Sequence, residues 1–167
     1  MTPEPLPDAS TADASTVRPR WLDVDEQKVW RDYLDVSRVL NERLNRQLVA
    51  DSGLSLAEYE ILVRLSEAPD RQLRMSELAE LAVHSRSRLT HTVRRLEERG
   101  LVGRQECLDD RRGVLCVLLD EGFAVLAAAA PGHVAEVRSI MFDPLTGDDV
   151  KALGVAMGRL RAGLRST

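Results

Sequence analysis

Lysine is nearly missing from this chain. Only Lys28 and Lys151 stand among 23 basic residues, and the rest are Arg, a bias set either by genome composition or by a need for planar, forked donors. Cysteine is as scarce: Cys107 and Cys116 lie close together in a sequence with no signal-peptide pattern. That excludes a secreted disulfide scaffold and points to a reducing, cytoplasmic setting. Three histidines are few for general acid–base work. No G-x-S-x-G, H-E-x-x-H, P-loop or zinc-spaced Cys/His set occurs, so an enzyme, a metal site and a cofactor are all disfavoured. No apolar run approaches the roughly 20 residues of a bilayer span, and the longest small-apolar stretch, Val125 to Ala130, is mostly alanine.

The 167 residues, 44% hydrophobic and 30% charged, suit one globular body with its own core. Acidic residues outnumber basic ones by 27 to 23, and the net charge of −4, taken whole, argues against a nucleic-acid binder. The charge is segregated, however. From His84 to Arg112 there are eight Arg against five acidic residues, a net of +3, which leaves −7 for the remainder.

Residues 1–20 hold four of the seven prolines among Ser, Thr, Ala and Asp and read as a disordered tail. From Val24, the spacing of Trp30, Tyr33, Ser37, Leu40, Leu44 and Leu48 predicts a long amphipathic helix ending near Ser52-Gly53. Ser55 and Glu58 form a capping box for a second helix carrying Leu56, Tyr59, Ile61, Leu62 and Leu65, which Pro69-Asp70 closes. Ser76 begins a short helix with Leu78, Leu81 and Ala82 on one face. Ser85 caps the next helix, 86–99, where Leu89, Val93 and Leu96 fall at i, i+4, i+7 and Gly100 supplies a left-handed stop. Leu101–Cys107 and Val114–Leu119 read as strands joined by a polar hairpin connection. Helical pattern resumes at Glu121, with Pro131 expected to kink or divide it. After Asp143-Pro144 a last helix follows, with Thr146 and Asp149 as a capping pair and Leu153, Met157, Leu160 and Leu164 as its stripe.

A short helix, a turn, a second helix and a two-stranded ribbon make a winged helix-turn-helix. At about 100° per residue, Ser87, His91 and Arg94 lie opposite the apolar stripe, with Arg88 and Arg95 on one flank and Thr90 on the other. Arg matches guanine bidentately, while Ser, Thr and His bond bases or phosphates. Ser85, Arg86 and Ser87 sit where free backbone N–H groups favour phosphate. In the hairpin, Asp110 can orient Arg112 toward the adjacent minor groove, with Arg111 beside it. The bland alternatives are a solvated helix face laced with ion pairs to Glu97 and Glu98, and an ordinary Asp-containing turn.

The segments Met75-Ser76-Glu77-Leu78-Ala79-Glu80-Leu81, Ser85-Arg86-Ser87, Arg95-Leu96-Glu97-Glu98-Arg99-Gly100-Leu101-Val102 and Asp109-Asp110-Arg111-Arg112-Gly113-Val114-Leu115 resemble those of the MarR family of bacterial transcription regulators, over roughly residues 22–165. The resemblance implies a mainly α fold with a small β-wing. The winged helix-turn-helix falls at about 54–120 and dimerisation helices at about 23–52 and 121–165, within a domain of residues 21–167. It further implies a homodimer, its first and last helices interlocked, on a pseudopalindromic double-stranded operator, with recognition helices roughly 34 to 36 Å apart. The long first helix and the Leu153/Met157/Leu160/Leu164 stripe support a dimer independently, since they offer more apolar surface than a monomer hides. The family's usual Gly-Val before the recognition helix is Val83-His84 here, which places His84 beside the DNA.

Many members release DNA when a small aromatic or anionic effector enters a cleft between the dimerisation helices and the winged lobe. Trp30, Tyr33, Tyr59, His133 and Arg138 are the candidates for such a site, against the simpler reading that each is a packing residue. Relatives that sense oxidants use a first-helix cysteine, which this chain lacks. Cys107 and Cys116 beside the wing fit either a redox pair or buried strand residues. The overall expectation is a ligand-responsive, homodimeric DNA-binding repressor without membrane association. The rival is a winged-helix module that binds only protein; the Arg-bearing outer face, without apolar anchors, speaks against it.

Overall fold

The computed structural model describes residues 20–81, 86–106 and 113–165. The expected tail, the turn containing Val83, His84 and Ser85, and the hairpin with Cys107, Asp110, Arg111 and Arg112 lie outside the described residues. The elements in order are α1 (Val24–Ser52), α2 (Leu56–Glu67), β1 (Gln72–Arg74), α3 (Met75–Leu81), α4 (Arg86–Glu98), β2 (Val102–Glu106), β3 (Val114–Leu118), α5 (Asp120–Val137) and α6 (Gly147–Arg165). By its contacts the chain divides into residues 1–34 and 35–167.

In the first unit the opening turns of α1 carry a Lys28–Asp32 ion pair at 2.7 Å and a stacked Trp30–Tyr33 pair with ring centroids 5.8 Å apart. Both rings are about half exposed.

In the second unit a leucine-rich core gathers Leu48 of α1, Leu62 and Leu65 of α2, Leu78 of α3, Leu89, Val93 and Leu96 of α4, and Leu126 of α5. Ser55 Oγ accepts from the Glu58 N–H while the Glu58 carboxylate accepts from the Ser55 N–H, so the capping box forms as its spacing requires. Gly100 takes φ +69°, and the Gly100 and Leu101 N–H groups return to the Glu97 and Leu96 carbonyls at the end of α4. Gly122 is required for a different reason: a Cβ there would stand 2.1 Å from the Leu101 carbonyl oxygen, so the first turn of α5 can approach the wing only without a side chain.

Three features depart from the sequence pattern. The ribbon is a three-stranded antiparallel sheet, β1-β3-β2, in which Leu73 and Arg104 flank Cys116 from opposite sides. Three residues are too few to show alternation; β1 is a strand because the second edge of β3 needs a hydrogen-bonding partner. Pro131 does not divide α5, which continues to Val137. Pro131 and Ala127, whose carbonyl loses its donor, both face outward, where water satisfies the freed group. The irregularity comes later, in a π-helical turn at Arg138–Phe142. By contrast, α6 begins as expected, with Thr146 and Asp149 exchanging cap hydrogen bonds. Among the described residues no helix is long and apolar enough to cross a membrane.

Candidate nucleic-acid interface

The sequence of α4 folds into an amphipathic helix because its apolar residues recur every three or four positions and Gly100 stops it. Leu89, Val93 and Leu96 are buried against the core, while Ser87, Arg88, Thr90, His91, Arg94 and Arg95 are all exposed. The six described members of the expected DNA-facing set therefore share an outer surface. Nothing is described for the side chain of Arg86, and Ser85, Asp110, Arg111 and Arg112 lie outside the described residues. That surface carries three guanidinium groups, two hydroxyls and an imidazole, the mixture that phosphates and base edges accept.

Ion pairs trim this surface at its far end. Arg94 Nε donates to Glu98 Oε1 at 2.8 Å, and this hydrogen bond and charge hold the Arg94 guanidinium still more firmly protonated. Arg104 of β2 lies 3.4 Å from Glu97. Arg95 reaches the buried Glu58 of α2 at 3.0 Å. The expected pairing to Glu98 thus holds for Arg94, whereas Arg95 finds its partner in Glu58 of α2 and Glu97 is met by Arg104. Neither the Arg94 nor the Arg95 pair takes the guanidinium out of solvent, since both side chains stay more than half exposed.

Behind the interface, Cys116 sits on the central strand, fully buried. Burial pushes its thiol up to about 11, with Glu97 adding to that and Arg104 partly opposing it. At neutral pH it is a protonated core residue rather than a reactive thiolate.

A cleft of about 370 Å³ opens between the C-terminal half of α1, α2 and α5. Of the expected effector residues, Tyr59 and His133 both line it, with ring centroids 4.4 Å apart. Burial lowers the His133 pKa against an opposing pull from Glu60, and burial also raises that of Tyr59. Both are therefore neutral at pH 7, and His133 Nδ1 is buried without a hydrogen-bond partner. Arg138 does not line the cleft and instead pairs with Asp143 at 3.1 Å. Trp30 and Tyr33 belong to the first unit. The sequence reading missed Asn41, Glu60, Arg64 and Glu67 in the cleft wall. The last three share one face of α2 at i, i+4, i+7, a spacing visible in the sequence but indistinguishable there from a solvated face. Among the described residues no group of three His, Cys, Asp or Glu side chains is placed to hold a metal ion.

Comparison with known proteins adds an independent line. A family model described as MarR family matches residues 54–114. The HTH-type transcriptional regulator PecS of Dickeya dadantii is 30% identical over 141 residues, covering 83% of each chain. The HTH-type transcriptional repressor YetL of Bacillus subtilis is 28% identical over 120 residues, covering 72% of this chain and 71% of its own. Among solved structures, Sco3205, a MarR family transcriptional regulator from Streptomyces coelicolor in complex with DNA, aligns with a TM-score of 0.83 at 47% identity, covering 89% of this chain and 93% of that one.

Proposed function

The chain belongs to the MarR family of transcription regulators, and on that premise we propose that it is a homodimeric repressor that reads a pseudopalindromic operator with α4 and the wing. The observation that carries this reading is the sorting of α4: every described polar candidate faces out while the apolar stripe is buried. Ser87, Arg88, Thr90, His91, Arg94 and Arg95 serve as contacts, joined by Ser85, Arg86, Asp110, Arg111 and Arg112. The winged helix-turn-helix is assigned to about 54–120 and the dimerisation helices to about 23–52 and 121–165. A chromosomal operator places the protein in the cytoplasm. In α6, Met157, Leu160 and Leu164 of the expected stripe are exposed, an apolar row suited to a second copy.

The test is selection of duplexes from a random-sequence library, followed by titration of the selected and a scrambled duplex. The wild-type chain prefers the selected duplex, and Arg88→Ala weakens that binding by about 1 to 3 kcal/mol if Arg88 reads a base. Equal affinity for both duplexes would favour the protein-binding module instead.

Effector response rests on the cleft where Tyr59 and His133 meet. A small aromatic or anionic compound entering between α1, α2 and α5 would alter how α2, which packs on α4, sits against α1. Simple aromatic carboxylates titrated into the complex should release the selected duplex from the wild-type chain and not from His133→Gln. Equal release from both removes the cleft from the account.

A further inference from the structure

Glu58 is 1% exposed, the sole buried carboxylate among the described residues. Its Oε2 accepts from the Ser55 backbone N–H and from Ser55 Oγ, each at 2.7 Å. Those bonds complete the cap of α2, and a neutral glutamine would complete it as well. The charge therefore needs another explanation, because an ionised carboxylate taken out of water is costly unless it is paired.

Its other oxygen supplies one. Oε1 lies 3.0 Å from a guanidinium nitrogen of Arg95 on α4. No aligned hydrogen bond reaches that oxygen, so the contact is a charge pair that fixes position more than direction. Just past the end of α4, Arg99 donates to the Gly53 carbonyl at 3.1 Å. Asn45 Oδ1 of α1 accepts the Leu56 N–H at 3.0 Å. Arg95 and Arg99, four residues apart at the end of α4, thus grip the corner where α1 turns into α2, and α1 grips the same corner from its other side.

We propose that Glu58 is a positioning residue for DNA recognition: it touches no DNA, and it sets the rotation of α4 by holding Arg95 at the α1–α2 corner. The proposal rests on the DNA-binding reading of α4. The lever is geometric. On a helix about 10–12 Å across, a rotation of about 10° carries an outer side chain roughly 1 Å, enough to spoil a bidentate contact to a base edge. Arg88 and Arg94 project from the same rigid cylinder, so a single buried charge orients the whole reading face.

The decisive variant is Glu58→Gln, which keeps the cap and removes only the charge. Removing a negative charge beside the DNA-facing helix, and releasing Arg95, would by direct electrostatics tighten DNA binding. Positioning has the opposite sign. E58Q should bind the selected duplex about tenfold more weakly, the scale of one coupled contact, with binding to a scrambled duplex no weaker than wild type's. R95Q should lose affinity for the selected duplex, and the double variant E58Q/R95Q should lose no more than R95Q alone. An E58Q that binds as tightly as wild type or tighter, or losses that add in the double variant, overturns the proposal. Circular dichroism and sedimentation establish that E58Q is folded and dimeric. Should it not fold, Glu58→Asp carries the test: it keeps the charge and an acidic cap residue but draws the carboxylate back from Arg95, so it should also lose affinity for the selected duplex, and an E58D that binds as wild type overturns the proposal. Failure of the DNA-binding reading itself looks different, because the wild-type chain then shows no preference between duplexes.

Discussion

Two helices of this chain carry the same kind of apolar stripe and meet opposite fates. In α4, Leu89, Val93 and Leu96 are 3%, 0% and 0% exposed; in α6, Met157, Leu160 and Leu164 are 41%, 60% and 83% exposed. Both rows recur at three- and four-residue spacing, so periodicity alone treats them alike. The difference lies in what surrounds them. The α4 stripe closes onto α2 and the sheet within its own chain, whereas the α6 stripe meets nothing comparable among the described residues. A heptad-like row identifies a face that wants covering, and only its neighbours decide whether the cover comes from the same chain or from a second copy.

The sharpest way to break that comparison is Leu160→Glu. In the proposed dimer it buries one unpaired carboxylate per subunit, each costing several kcal/mol, so sedimentation at micromolar concentration should show monomers and the selected duplex should no longer be bound. A dimer unchanged by this substitution would mean that the α6 row is not the interface. Leu96→Ala probes the other stripe. It should lower unfolding free energy by about 2 to 5 kcal/mol, seen as a lower denaturant midpoint at every protein concentration, because its cover is intramolecular. Gly122→Ala tests how closely α5 is seated on the wing base. Its Cβ has no room beside the Leu101 carbonyl, and overpacking of this kind costs about 1 to 3 kcal/mol, read by thermal melting.

The smallest effect concerns the start of α6. Hydrogen bonds from the Thr146 side chain and backbone hold the Asp149 carboxyl below its ordinary value, against a slight opposing effect of burial. A depressed carboxylate pKa stabilises the folded form above the unfolded pKa and loses that contribution as pH falls through the folded one. Amide exchange at the first turn of α6 should therefore accelerate selectively on acidification below the usual carboxylate range. Asp149→Asn should flatten that dependence, and no change in it would show that the cap is not what holds this end of the helix.

Much of the fold was legible because its signals are local. Ser55 with Glu58, Thr146 with Asp149, and Gly100 after the α4 stripe announce helix ends through contacts between residues a few positions apart. The same locality exposed the polar face of α4, and with it six of the candidate DNA contacts. What escaped is non-local or too short. β1 has three residues and owes its extended form to β3. α5 runs through Pro131 because the freed carbonyl faces solvent. In the cleft, Tyr59 and His133 were named by residue type, but their meeting joins helices far apart in the chain, and Glu60, Arg64 and Glu67 looked like any solvated row.

Glu58 marks the boundary between the two kinds of information. From the sequence alone it is a cap, and Ser55 three residues earlier suffices to say so. That its second oxygen holds Arg95, at the far end of the DNA-facing helix, depends on how α2 and α4 pack. Sequence by itself determined the helices, their ends and their apolar faces, since these follow from short-range hydrogen bonding and periodicity. Tertiary structure alone decided which faces are covered and which charges meet, because burial and ion pairing join residues that the chain keeps far apart.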